Sequence, residues 1–167
     1  MVWHRMGDMG YFDDLGRLWF CGRKAHRVLM PRGKVLYSVC VEAPFDAAMR
    51  EVLAAEKLDS VQDVRTALVG IGQPGAQKAV IVVEMNDELD DALLDRFDAP
   101  TEVTALDAFE KWFDGSAFKG EVAAVLCWPG LFPVDVRHNA KINREKLAVW
   151  AAAAVKSQEP RAESRSA

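Results

Sequence analysis

The sequence predicts an α+β fold, an N-terminal β-hairpin followed by a small three-stranded mixed sheet flanked by helices. Three observations lead there. Tyr11-Phe12 and Arg17-Leu18-Trp19-Phe20-Cys21 flank Asp13-Asp14-Leu15-Gly16, a tight turn whose glycine can take a positive φ. Residues 65–71, 78–85 and 122–128 are rich in Val, Ile and Ala with little alternation, the pattern of strands buried on both faces. Apolar residues recur at helical spacing before, between and after those strands.

The bulk properties narrow the function classes. A chain of 167 residues, half of them hydrophobic, suits one domain with a packed core. Its 21 Lys and Arg against 25 Asp and Glu give a net charge of -4, which argues against a general nucleic-acid binder. Cys21, Cys40 and Cys127 are odd in number and form no C-x-x-C pair, so neither a disulfide framework nor a zinc site is indicated. A cytoplasmic location is expected, with the cysteines serving as small hydrophobes in or near the core. The first eight residues lack the apolar stretch of a signal peptide. No membrane span is expected either, because the run at 147–155 is too short and the one at 122–134 is broken by Pro129, Gly130 and Pro133.

Taken in order, Gly7-Asp8 and Gly10 make a turn ahead of the hairpin, so the chain reads as continuing from a larger body, with the hairpin packed loosely. Pro31-Arg32-Gly33-Lys34 is a loop before a short strand at 35–39. A helix follows at 42–55, with Phe45, Ala48 or Met49, Val52 and Leu53 inward and Glu42 as a favourable charge at its N-terminus. Gly72-Gln73-Pro74-Gly75 joins the first two core strands. Asn86 caps a helix over 86–97, and Pro100-Thr101 opens another with Val103, Leu106, Phe109 and Phe113 inward. The acidic residues between 87 and 114 form a solvated face. Pro129-Gly130 ends the third strand, a polar loop leads to Lys141, and the last helix, 143–155, turns Leu147, Trp150, Ala151 and Ala154 inward.

Arg137-His138-Asn139-Ala140-Lys141-Ile142, followed by Arg144-Glu145-Lys146-Leu147-Ala148, resembles the last motif of the adenylate-forming ligases. More narrowly it resembles the β-lactone synthetase branch, olefin-pathway ligases acting on long β-hydroxy acids. Gly7-Asp8-Met9-Gly10-Tyr11-Phe12-Asp13 and Gly16-Arg17-Leu18-Trp19-Phe20-Cys21-Gly22-Arg23 are similar to two consecutive earlier motifs of the same family. The resemblance implies that Lys141 is the catalytic lysine of adenylation, and that Asp8 and Arg23 bind the nucleotide. The chemistry is sensible. A carboxylate accepts from both ribose hydroxyls, a guanidinium offers a fork to oxygen ligands, and an ammonium between a carboxylate and the α-phosphate relieves their repulsion.

The same resemblance implies ATP and Mg2+ as cofactors and a large N-terminal ligase domain as partner. It assigns residues 1–24 to the linker and hairpin, 25–156 to the C-terminal lid domain and 157–167 to a disordered tail. The chain carries no Gly-rich phosphate loop of its own. Ala25 stands where the family usually has an acidic hinge residue or lysine, so the hinge is placed by position alone. His138 and Asn139 are read as shaping the loop, and His4 and His26 as structural or exposed. The substrate implied is a β-hydroxy fatty acid, with other olefin-pathway enzymes as possible partners. Two further readings stand beside it: a fragment of a fatty acyl-CoA ligase or other adenylation domain, and a non-catalytic module binding a nucleotide or a protein.

Overall fold

The structure is a computed structural model describing residues 7–55, 65–85, 116, 118–135 and 141–158. Strands β1 (Asp8–Phe12) and β2 (Leu18–Arg23) form the antiparallel hairpin, with an irregularity between Met9 and Gly10. Asp13 organises its turn. Its carboxylate accepts from the Leu15 and Arg17 amides, the Arg17 guanidinium and the Trp19 indole, all at 2.7 to 3.0 Å. The Trp19 bond is the largest of the causes that hold this carboxyl below its ordinary value. Gly16 closes the turn at φ 74.

Beyond the hairpin the chain departs from the sequence-based expectation. Val35 and Leu36 pair as β4 (Val35–Leu36) with β3 (Val28–Leu29) around a helical turn at Pro31–Gly33, and that strand stops after two residues. Helix α1 (Ser38–Ala55) therefore starts four residues before the expected position. The Val41 amide already bonds the Tyr37 carbonyl, and Val41, Phe45 and Met49 are buried in succession. Pro44 lies inside the helix, where it removes the bond that the Cys40 carbonyl would accept.

Strands β5 (Thr66–Ile71), β6 (Lys78–Met85) and β7 (Val122–Pro129) form the expected mixed sheet. β6 is central, antiparallel to β5 and parallel to β7. Both faces of β6 are covered, which is why residues 79–83 are all buried. Val28, Leu36 and α1 meet Leu68, Ile81 and Val83 on one side. On the other, Leu147 and Ala151 of helix α2 (Arg144–Gln158) meet Val69, Val80, Val82 and Leu126. Trp150 stacks edge-on against Trp128 with ring centroids 5.1 Å apart. The helices expected over 86–97 and 100–113, the side chains of Val52 and Leu53, and the tail lie outside the described residues. Among the described residues no helix is long and apolar enough to cross a membrane.

The hairpin is anchored only at its base. Its tip exposes Phe12, Leu18 and Phe20, at 71, 66 and 55%, whereas Cys21 is buried. Gly22, at φ 107, lies directly on the start of α1: a Cβ there would stand 2.6 Å from Ser38 Oγ and 3.2 Å from Val39 Cγ2. Gly22→Ala is expected to destabilise the fold by about 1–3 kcal/mol through this overlap and the disfavoured φ. Urea unfolding of both proteins measures it, and an unchanged midpoint would mean that strand and helix separate at no cost.

Candidate functional site

Lys141 lies on a strand, not in a free loop. β8 (Val134–Asp135) and β9 (Lys141–Ile142) pair antiparallel, setting Lys141 opposite Asp135, while residues 136–140, with His138 and Asn139, lie outside the described residues. Asn143 locks the next step. Its amide donates to the Pro133 carbonyl at 2.7 Å, and its side-chain oxygen accepts the Lys146 amide at 3.0 Å, capping α2. The backbone at Lys141 is thus fixed on both sides while the residue itself is exposed. Its side chain makes no ion pair among the described residues.

Asp8 and Arg23 are brought into direct contact. The hairpin register sets them opposite each other, and Arg23 Nε lies 3.0 Å from Asp8 Oδ1. The Lys24 amide donates to the Gly7 carbonyl at 2.8 Å and closes the base of the hairpin. Immediately there an open cleft of about 720 Å³ begins, lined by Gly7, Arg23, Lys24, Ala25, His26, Arg27 and Lys141. Four of these side chains are cationic, one is an imidazole and none is a carboxylate. Such a wall attracts anions, and crowding of like charges makes binding one favourable.

Behind the cleft, Arg144 and Glu42 join α2 to α1. The guanidinium meets both carboxylate oxygens, at 2.5 and 3.0 Å, and also donates to the Leu68 carbonyl at 3.0 Å. Glu42 accepts the Leu68 amide at 2.6 Å as well. Since α1 begins at Ser38, Glu42 sits in its second turn, not at the N-terminus; its charge answers Arg144 rather than the helix dipole. Arg144 follows Lys141 by three residues, so this clamp fixes the start of α2 directly after the strand that carries the lysine.

His26 faces the same group of charges. Partial burial, and then the Arg144 charge, hold its imidazole below the usual 6.5; Glu42 acts in the opposite sense, and Arg23 and Lys141 add to the lowering. A histidine depressed on folding stabilises the fold above its unfolded value, and that contribution is lost as pH falls from there through the folded value. Titrating the His26 ring signals by NMR is expected to give a midpoint below 6.5. Added adenine nucleotide should raise that midpoint by placing negative charge beside the ring. A midpoint indifferent to nucleotide would mean that no anion enters here.

No protein-family model matches the chain. Two curated relatives do. An olefin β-lactone synthetase from Xanthomonas campestris pv. campestris is 45% identical over 151 residues, which are 90% of this chain and 23% of the relative. One from Stenotrophomonas maltophilia is 45% identical over 152 residues, 91% of this chain and 23% of the relative. The chain is homologous to the C-terminal portion of the olefin β-lactone synthetases. It spans about a quarter of their length.

Solved structures share the fold. A mutant of the amide bond synthetase from Marinactinospora thermotolerans superposes with a TM-score of 0.52 at 20% identity, over 88% of this chain and 25% of that one. The ATP-bound RpMatB-BxBclM chimera B1 does so with a TM-score of 0.53 at 16% identity, over 88% and 24%.

The sequence motifs pointed to Lys141, Asp8 and Arg23, and the fold gathers all three around one end of the hairpin. They did not point to Lys24, His26 and Arg27 as cleft-lining groups. The available signal was the density of basic residues in Arg23-Lys24-Ala25-His26-Arg27.

Proposed function

We propose that the chain is the lid of an ATP-dependent adenylate-forming ligase, carrying Lys141 to the place where a carboxylate meets ATP. The observation that supports it is an exposed, backbone-fixed Lys141 sharing a carboxylate-free basic cleft with Arg23. In this reading Asp8 accepts hydrogen bonds from the ribose hydroxyls, and Arg23, oriented by Asp8, holds the nucleotide. The substrate carboxylate attacks the α-phosphate, pyrophosphate leaves, and Lys141 offsets the negative charge gathered on the phosphoryl oxygens. For a long-chain β-hydroxy acid, the substrate's own hydroxyl then attacks the activated carbonyl, losing its proton as AMP departs and the β-lactone closes. Holding that hydroxyl beside the carbonyl supplies the proximity, and the lid excludes competing water.

Among the described residues Mg2+ finds no fitting ligand set: the cleft wall is cationic, and no cluster of three or more His, Cys, Asp or Glu suited to a metal occurs there. An adenylation site also needs a phosphate-binding surface and an acyl pocket, which this reading assigns to a large N-terminal domain. The chain mixed with ATP, Mg2+ and a long β-hydroxy acid is accordingly expected to release no AMP. Supplying the remaining part of an olefin β-lactone synthetase should produce AMP and lactone together. Robust turnover by the chain alone overturns the lid reading. Coenzyme A thioester in place of lactone would move the chain to the acyl-CoA ligases, and failure of any large domain to respond would favour a non-catalytic binding module.

A further inference from the structure

Cys21 and Cys40 stand on opposite sides of the turn at Lys24–His26, which carries the hinge position Ala25. Cys21 is buried in β2; Cys40, in the first turn of α1, is exposed, whereas the cysteines were expected in or near the core. Strand and helix meet here without an intervening side chain, because Gly22 packs straight onto Ser38 and Val39. Cys21 immediately precedes Gly22 and Cys40 immediately follows Val39, so the two cysteines flank that contact, while the Cys21 thiol points at the Trp19 carbonyl at 3.8 Å. Cys127 lies in β7 of the central sheet.

We propose that Cys21 and Cys40 are a modification site, forming a reversible disulfide that staples the hairpin to α1, with a low-molecular-weight disulfide such as oxidised glutathione as oxidant. Cys40, the accessible member, loses its proton and attacks the glutathione disulfide, giving a mixed disulfide and one glutathione thiol. The Cys21 thiol then loses its proton and attacks the Cys40 sulfur, expelling the second glutathione. Two protein thiols are oxidised and one glutathione disulfide is reduced, so electrons and protons balance. Burial, followed by the Cys21 thiol and its charge, pushes the Cys40 thiol up to about 11. Little thiolate is present near neutrality, so the pair stays reduced in ordinary glutathione and reacts faster as pH rises. A bond joining residues on either side of Ala25 holds the hairpin and lid in one relative orientation. This consequence for activity rests on the lid reading above, whereas the bond itself does not.

The 167-residue chain is incubated with oxidised glutathione at alkaline pH, alkylated and mapped by mass spectrometry. The expected product is an internal Cys21–Cys40 peptide pair about 2 Da lighter than its reduced form, reversed by dithiothreitol, with a melting temperature roughly 5–10 °C higher. Cys127→Ser should behave as the native chain, and Cys40→Ser should keep Cys21 unmodified. A stable glutathione adduct on Cys40 that never resolves, or cross-links through Cys127 or between chains, overturns the proposal. In the enzyme completed with its large domain, oxidation should suppress turnover in the native sequence and leave Cys40→Ser unaffected. If the disulfide forms and turnover persists, the orientation lock is wrong. If the completed enzyme is inactive even when reduced, the lid reading fails and the disulfide stands.

Discussion

Replacing Lys141 with alanine is expected to lower adenylate formation by about 10²–10³-fold in the enzyme completed with its large domain, the scale of losing one preorganised charge at a reacting phosphoryl group. The magnitude follows from what the proposed role asks of the ammonium. A carboxylate and an α-phosphate repel as they approach, and inside a closed site from which water is excluded that repulsion is poorly screened. The fold should be indifferent to the change. Lys141 is exposed and makes no ion pair among the described residues, so its truncation falls within the ±0.5 kcal/mol of ordinary surface substitutions. Lys141→Arg keeps the charge but spreads it over a planar fork and should recover part of the rate. ATP–pyrophosphate exchange measures the adenylation step by itself, and urea unfolding checks the fold. Equal exchange by the native chain and Lys141→Ala would remove the assigned role.

How much of the fold is legible in the sequence depends on how far apart the determinants are along the chain. The three sheet strands could be read because β6 and its neighbours are continuous Val, Ile and Ala runs, and burial on both faces leaves that imprint in consecutive residues. β3 and β4 could not, since two-residue strands are too short to show a period. The start of α1 was misplaced because residues 35–41 form one nearly unbroken apolar run whose first half is strand and second half helix. Pro44, which would fall in the first turn of a helix begun at residue 42, lies well inside α1.

The site divides in the same way. Asp8, Arg23 and Lys141 each sit in a local motif, and a motif is a property of neighbouring residues. That the arginine and the lysine line one cleft is a property of the fold, since the packing of α1, β5 and α2 brings the hairpin base and the entrance to α2 together. Glu42 was read as a helix-dipole charge for want of any local sign of its partner, which is 102 residues away. Cys40 was read as lying in or near the core because a thiol is usually buried, and its exposure in the first turn of α1 has no local sign in the sequence.

That long-range pair carries the second large effect. Arg144→Ala is expected to destabilise the chain by about 2–4 kcal/mol, somewhat below a fully buried pair because both side chains retain a little solvent contact. Three losses coincide: Glu42 keeps a desolvated charge without its counter-ion, the Leu68 carbonyl loses a donor, and α2 loses its tie to α1. Glu42→Gln should cost less, because the new amide still offers an oxygen to the Leu68 amide at the position that Glu42 Oε1 now holds. The double substitution Glu42→Leu with Arg144→Met removes both charges and should recover much of the loss, since desolvation opposes the ion pair throughout. Urea unfolding of the native chain, Glu42→Leu, Arg144→Met and their double closes a double-mutant cycle, and a coupling energy near zero would show that the pair is as weak as an exposed one. Because Arg144 follows Lys141 by three residues, Arg144→Ala should also slow adenylation in the completed enzyme below its unfolding midpoint, whereas the uncharged double variant, with α2 seated again, should regain rate as it regains stability. Rate and stability moving together through the cycle would mark the clamp as the support on which the lysine is held; a rate that stays low after stability returns would mean that the Arg144 charge itself acts on the nucleotide.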